Sequence, residues 1–191
     1  CRSRVNVDQA TRMSSTANVV FVASDWVRHH GGAFLSKFNE QLNNPDSLVP
    51  AFLEALHDRA EDSFGFVERE GGCWYICAWG AVGAYALVVH GLGGSRTLLR
   101  MFEPAPRVRV VDSTGAGDSF IGACIAAFCE PGVTASRILE AGCAVASAKV
   151  AQEGFDGLQA AFPPSRTPRI SDGASGAGEQ ANVGGHVDGT A

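Results

Sequence analysis

The stretch Arg107–Phe120 constrains the fold more than any other part of this chain. Three valines that follow the strand-breaking prolines of Pro104-Ala-Pro106 predict a short strand over residues 108–111. The chain then breaks at two glycines and continues as an apolar run that predicts a helix from Phe120 to Phe128. Strand, glycine turn and helix in this order place backbone N–H groups at a helix N-terminus, where unpaired donors and the helix dipole favour an anion.

The glycine turn has two interpretations. A turn between a strand and a helix often contains glycine simply because it needs positive φ. Asp118 favours a functional interpretation of the turn. Its position is partly explained as a first-turn acid, but a carboxylate beside two glycines would repel a phosphate bound face-on. It makes chemical sense as a base that takes a proton from a hydroxyl while the amides of Gly115, Ala116 and Gly117 hold a phosphoryl group. The turn therefore predicts phosphoryl transfer.

Other phosphate-binding signatures are missing from the sequence. The chain has two lysines, Lys37 and Lys149, and no G-x-x-x-x-G-K-[ST] motif, which excludes a P-loop NTPase. The dinucleotide-binding fingerprint fails because Phe120 stands at its third glycine. No H-R-D or D-F-G motif is present, so a protein kinase is excluded as well.

Residues Asp112–Phe120 resemble the D-T-x-G-A-G-D-x-F signature of the ribokinase-like (PfkB) carbohydrate kinases, with Ser113 where threonine is usual. The similarity covers roughly residues 17–35 and 73–158. It implies an α/β fold, a Rossmann-type three-layer sandwich with helices on both faces of a parallel sheet, of which this chain would be the C-terminal part. Three further stretches resemble the ketohexokinase branch of the family: Val19–Ser24, Cys77–Gly83 and Gly142–Gly157.

The resemblance assigns roles to individual residues of the glycine turn. It makes Asp118 the catalytic base and Gly115-Ala116-Gly117 the anion hole. Asp112 and Thr114 match positions around a monovalent cation that orders the turn. The alternative for Asp112 is that it merely caps the turn.

Three residues outside the turn match family positions near the nucleotide. Gly80 and Gly83 match positions that pass close to ATP, and Cys143 matches a position beside the adenine. The alternatives are a glycine hairpin turn and a core cysteine. Acidic residues often stand between the two family glycines, whereas this chain has Ala81-Val82 there, which puts polar contacts at that spot in doubt.

The function implied is ATP-dependent phosphorylation of a sugar hydroxyl, with a ketohexose as the substrate and K⁺ as an optional cofactor. Mg²⁺ is also implied, but the family's Asn-x-x-Glu motif belongs upstream, and Asn39-Glu40 has the wrong spacing. The chain begins without Met in what resembles the middle of a kinase, so we expect it to phosphorylate nothing by itself. Alternatives are an inactive nucleotide-binding fragment or pseudo-kinase, a scaffold domain, or a kinase for another sugar or nucleoside.

The composition limits the classes of binding partner that we expect. A net charge of −5 gives no electrostatic footprint for nucleic acid and no attraction to an anionic membrane. We therefore expect ATP and a small sugar as partners, with a homodimer as an option for the full-length protein. The six cysteines lack a secreted-module framework and a C-x-x-C pair, which predicts free thiols in a reducing cytoplasm and no metal site.

The sequence divides into three parts. Residues 1–16 show no apolar periodicity and predict a loop or truncated remnant. Residues 17–160 contain apolar runs that predict strands at 18–23, 73–79, 85–90 and 97–101, with helices between and after them. Within this part, residues 36–70 are interpreted as a helical insertion. From residue 161 onward the composition predicts a disordered tail.

Overall fold

The computed structural model describes residues 6–35, 44–65, 72–92 and 95–164. Most of the predicted disordered tail (residues 165–191) lies outside the described residues, as do residues 36–43 and 66–70 of the predicted insertion. The elements in chain order are α1 Val7–Thr16, β1 Val19–Ala23, α2 Ser24–Phe34, α3 Pro45–Phe64, β2 Cys73–Ala78, β3 Gly83–Leu92, β4 Ser95–Pro104, α4 Ala116–Phe128, α5 Ala135–Val150 and a 3₁₀ turn Leu158–Ala161.

The four strands form one sheet in the order β1-β2-β3-β4. β1 and β2 are parallel, whereas β2–β3 and β3–β4 are antiparallel. Short connections can join only antiparallel neighbours, and a parallel pair needs a longer crossover, here supplied by α2 and α3. Within the described part of the chain, the predicted parallel sheet is therefore represented by a single strand pair.

Helices cover both faces of the sheet, which confirms the three-layer arrangement. Alternate side chains of a strand point to opposite faces, so Tyr75 and Leu87 pack with α2 and α3, while Ile76 and Ala86 pack with α4 and α5. Each face thus has its own apolar cluster. None of the described helices has the length and hydropathy that a membrane span requires.

The loop predicted for residues 1–16 is wrong for residues 7–16, which form α1. The Asn6 side chain accepts a hydrogen bond from the Gln9 amide at 2.8 Å, and the Gln9 side chain accepts one from the Asn6 amide at 3.3 Å. This reciprocal pair is a capping box. The buried residues of α1 are Thr11 and Ser14, whose hydroxyls donate to backbone carbonyls four residues earlier. Thr11 and Ser14 can therefore be buried although α1 has no apolar periodicity.

The strand predicted over residues 108–111 is also wrong. Residues 105–110 form an extended segment outside the sheet, and Val108, Val110 and Val111 are exposed. Its end is attached to α5 because the Val111 amide donates to the Val150 carbonyl at 2.8 Å. Helix α4 begins at Ala116, four residues before the predicted start.

The other predicted strands are confirmed as β1 to β4. Helix α5 is capped by Thr134, whose side chain accepts from the Arg137 amide at 3.3 Å. Helix α2 has Ala23 at its N-cap and no side-chain hydrogen bond there. All five cysteines in the described ranges are free thiols; Cys129 is exposed and the other four are buried.

Arg137, near the start of α5, holds the last described residues of the chain. Its guanidinium donates to the Glu130 carboxylate at 2.8 Å and to the Pro163 carbonyl. The same group lies 5.0 Å from the ring centroid of Phe162. The segment after the 3₁₀ turn is therefore attached to the beginning of α5.

Candidate functional site

A cavity of about 520 Å³ lies between the β2–β3 hairpin, the extended segment 105–110, the start of α4 and the second half of α5. Small residues form most of its wall, so backbone is accessible to a ligand. The lining residues are Ser24, Ala78, Gly80, Ala81, Gly83, Ala105, Pro106, Arg107, Val108, Val110, Ser113, Ala116, Gly117, Phe120, Cys143, Ala146, Ser147 and Val150.

The structure brings five of the sequence-predicted site residues to this cavity: Gly80, Gly83, Ala116, Gly117 and Cys143. Gly115 and Asp118 flank the lining residues Ala116 and Gly117 along the chain. Asp112 and Thr114 do not line the cavity. Residues far apart in the sequence thus meet at one place, as the resemblance implies.

The glycine turn starts α4. Gly115 is the N-cap in a left-handed conformation, with φ 75° and ψ 7°. Gly117 and Asp118 therefore occupy the second and third helical positions, whose amides have no partner within the helix. The Ala116 amide differs, because it donates to the Ser113 carbonyl at 3.2 Å. Of the predicted set Gly115, Ala116 and Gly117, the Ala116 amide therefore already has a partner within the turn.

Asp118 lies in the first turn of α4 and is exposed. No cation or hydrogen-bond donor of the described residues contacts its carboxylate. The group is consequently accessible to a substrate hydroxyl.

The segment with Gly80 and Gly83 is a hairpin turn that also lines the cavity, so the two interpretations of these glycines are compatible. The Trp79 amide donates to the Gly83 carbonyl at 2.7 Å, and the Val82 amide donates to the Trp79 carbonyl at 3.2 Å. Gly83 has φ 143°, and a β-carbon there would come 2.1 Å from the Glu103 carbonyl oxygen. This position therefore requires glycine.

Cys143 is both a buried cysteine and part of the cavity wall. Its Sγ lies 3.7 Å from the Glu103 carbonyl oxygen, and 5% of the residue is exposed. Burial raises the pKa of this thiol to about 12, and the nearby Glu103 acts in the same direction. At neutral pH the side chain is an uncharged, weakly polar wall.

The Asp112 carboxylate is fully engaged. Oδ1 accepts the Thr114 amide at 2.9 Å and Oδ2 accepts the Lys149 ammonium at 2.8 Å. Hydrogen bonds from Lys149 and then from Thr114 lower the pKa of Asp112 to about 2. The Thr114 group that contacts Asp112 is its backbone N–H, which is a donor and does not bind a cation. The predicted monovalent-cation pair Asp112 and Thr114 does not fit this geometry, because a lysine ammonium already lies against Asp112.

Sequence reasoning missed three residues around the site. Among the described residues that line the cavity, Arg107 carries the one charged side chain. Lys149 is fully buried behind the turn. Phe155 lies over Gly115, since a β-carbon at 115 would come 2.5 Å from the ring. The sequence signal for the Lys149 contact was a single lysine within an apolar helix, because a buried lysine needs a charged or hydrogen-bonding partner.

A second cluster of polar groups lies on α3. His57, Asp58 and Glu61 have ligand atoms within 4.8 Å of one another. Nη1 of Arg96 lies 3.1 Å from the Asp58 carboxylate and 2.5 Å from that of Glu61. The guanidinium thus supplies the positive charge, and the cluster is explained as an ion-pair link between α3 and β4.

Comparison with solved structures defines the class of protein. The chain matches the ribokinase of Cryptococcus neoformans var. grubii, solved with ADP, with a TM-score of 0.57 and 21% identity over 84% of this chain and 48% of that chain. It matches the ribokinase of Thermotoga maritima with a TM-score of 0.51 and 18% identity over 84% and 42% of the two chains. The fold is therefore ribokinase-like.

Sequence comparison then defines the family. Residues 76–159 match the pfkB family carbohydrate kinase model. The chain is also 30% identical to the ketohexokinase of Mus musculus over 153 residues, which cover 79% of this chain and 41% of the mouse protein. The family match over residues 76–159 and the similarity to this relative confirm the resemblance that the Asp112–Phe120 signature carries. The chain spans less than half the length of these relatives.

Proposed function

We propose that this chain supplies the nucleotide site and the catalytic base of an ATP-dependent sugar kinase, with a ketohexose as the acceptor. The observation that carries the proposal is the position of Asp118. It lies exposed on the first turn of α4, between the lining residues Gly117 and Phe120 of that helix. The family match at residues 76–159 supports a carbohydrate kinase, and similarity to a ketohexokinase supports the acceptor.

The cavity has one wall suited to an adenine ring. Val108, Ala146 and the un-ionised thiol of Cys143 are apolar or weakly polar and leave room for a planar group. The hairpin glycine Gly80 lines the same cavity without a side chain. An apolar slot with a few polar backbone groups is the usual form of a small-molecule site.

The phosphates would then extend toward the start of α4. There the amides of Gly117 and Asp118 and the positive end of the helix dipole favour an anion. Arg107 adds the one full positive charge on the cavity wall among the described residues. These groups stabilise negative charge on the transferred phosphoryl group without a P-loop lysine.

In the proposed reaction, the sugar hydroxyl oxygen bonds to the γ-phosphorus while the bond from that phosphorus to the β–γ bridging oxygen breaks and ADP leaves. The hydroxyl proton passes to the Asp118 carboxylate. The described cavity wall includes no carboxylate. Mg²⁺ would therefore be held by the ATP phosphates and by residues other than these lining side chains.

The test is Asp118→Asn in the full-length protein that contains this segment. We expect turnover of ATP and fructose to fall by about 10²–10⁴-fold, the usual contribution of an acid–base residue, while ADP affinity stays near that of the wild type. The matched control is Asp8→Asn, since Asp8 is also an exposed first-turn acid, on α1. Near-normal turnover in Asp118→Asn would remove the proposed base.

A non-catalytic nucleotide-binding role is the second candidate. The observation that favours it is Ala81-Val82 at the hairpin, where the family often has acidic residues, together with a cavity wall without carboxylates. ADP binding by the full-length protein with no phosphorylation of fructose, ribose or adenosine would support this candidate over the first.

A further inference from the structure

Lys149 is a buried cation. None of its surface is exposed, although it belongs to a helix whose neighbouring positions are alanine, serine and valine. An ammonium group removed from water is stable only when it is paired and hydrogen-bonded. The groups around its Nζ therefore explain why it can lie there.

Three groups surround the ammonium. Nζ lies 2.8 Å from Oδ2 of Asp112 and 3.2 Å from the Asp112 backbone carbonyl oxygen. It also lies 5.1 Å from the ring centroid of Phe155, within range of a cation–π contact. A carboxylate oxygen, a backbone carbonyl oxygen and an aromatic face together form a site for a monovalent cation.

K⁺ would require the same oxygens, because it is bound in proteins by oxygen atoms that replace its hydration shell. Oδ1 of Asp112 already accepts the Thr114 amide. A free cation would thus compete with Lys149 for Oδ2 and for the backbone carbonyl of Asp112.

We propose that the Lys149 ammonium is the built-in monovalent cation of this turn, so that the turn keeps its shape without K⁺. The Asp112 and Val111 amides both donate to the Val150 carbonyl, at 3.2 and 2.8 Å, which attaches the same segment to the end of α5. Phe155 contacts both the ammonium and the position of Gly115. Lys149 is consequently a positioning residue for the start of α4, and its importance for catalysis rests on the function proposed above.

The test measures thermal unfolding of the whole chain in KCl, NaCl and choline chloride at equal ionic strength. For the wild type we expect the same Tm in all three salts. For Lys149→Ala we expect a Tm lower by about 10 °C in choline chloride, because the contact with Asp112 and the packing of a fully buried side chain are both lost, with partial recovery in KCl as the ion enters the vacated space. The control is Arg100→Ala, which removes an exposed cation paired with Glu54 and should show no preference for K⁺.

A wild-type Tm that rises in KCl but not in choline chloride would overturn the proposal, as would a Lys149→Ala variant with wild-type Tm in every salt. If Lys149→Ala does not fold, the wild-type comparison still decides, and Lys149→Met supplies a variant of similar volume. Because no nucleotide is present in these experiments, a failure to bind ATP would count against the proposed function and leave this result intact.

Discussion

The ring of Phe155 covers Gly115, the residue that starts α4. A β-carbon at 115 would come 2.5 Å from Cζ of Phe155. Gly154 and Gly157, on either side of this phenylalanine, have φ values of 70° and 76°, which gives the tight turn that directs the ring. The Phe155 side chain of segment 154–157 therefore packs against the glycine turn at the start of α4.

Gly115→Ala should destabilise the chain through both backbone strain and the ring contact. A left-handed non-glycine residue costs about 1–2 kcal/mol, and the ring of Phe155 must also move. The matched control is Gly132→Ala, because Gly132 has φ 65° but open space around it. Urea unfolding should show a larger loss for Gly115→Ala than for Gly132→Ala. Equal losses would show that the ring contact contributes nothing.

Gly142→Ala and Gly122→Ala should change stability in opposite directions. Both glycines lie within helices, but a β-carbon at 142 would come 2.6 Å from the Phe120 ring and 2.7 Å from Cys124 Sγ, whereas a β-carbon at 122 meets nothing. Overpacking between α4 and α5 should cost about 1–3 kcal/mol. Alanine at the exposed position should add about 0.5–1 kcal/mol. Calorimetric Tm values of the two variants check the signs, and a stabilised Gly142→Ala would contradict the close packing of these helices.

Arg107→Ala should weaken ATP binding while leaving adenosine binding unchanged. A hydrogen bond to a charged group contributes about 1.5–3 kcal/mol, which corresponds to an affinity loss of about 10–100-fold. Isothermal titration with ATP and with adenosine separates the phosphate contact from the base contact. Arg109→Ala is the control, since Arg109 is exposed and does not line the cavity. An equal loss for both ligands would mean that Arg107 shapes the pocket rather than binding phosphate.

Stability should fall in acid through Asp112. Its pKa is lowered to about 2 in the folded chain, chiefly by the hydrogen bond from Lys149, whereas an unfolded aspartate has a pKa of about 3.9. A depressed folded-state pKa stabilises the fold above the unfolded value and loses that effect as pH falls toward 2. Urea unfolding between pH 5 and pH 2 should therefore show a shallower decline for Asp112→Asn than for the wild type. Identical slopes would show that the Lys149 contact does not persist in solution.

The sequence predicted the features that depend on local patterns. Continuous apolar runs located the strands β1 and β2, and the apolar run after the glycine turn located α4 with a start four residues too late. Helix α1 escaped because it buries Thr11 and Ser14 through hydroxyl bonds to its own backbone rather than through an apolar stripe.

The errors at the site arise from contacts that no local pattern records. Val108 and Val110 alternate like strand residues, but no described strand pairs with them, and they line the cavity instead. The pairing of Lys149 with Asp112 spans 37 residues of chain. A single sequence shows that a buried lysine needs a partner but does not show which carboxylate provides it.

The hydrogen bond from Arg137 to the Pro163 carbonyl has a practical consequence for labelling this protein. Arg137 and Val150 stand at opposite ends of α5, about 20 Å apart at the usual helical rise. Because the Pro163 carbonyl is bound at the Arg137 end, the last described residues lie on the side of α5 remote from Val150 and the cavity. A fluorophore or affinity handle attached at Pro164 should therefore leave the cavity unobstructed.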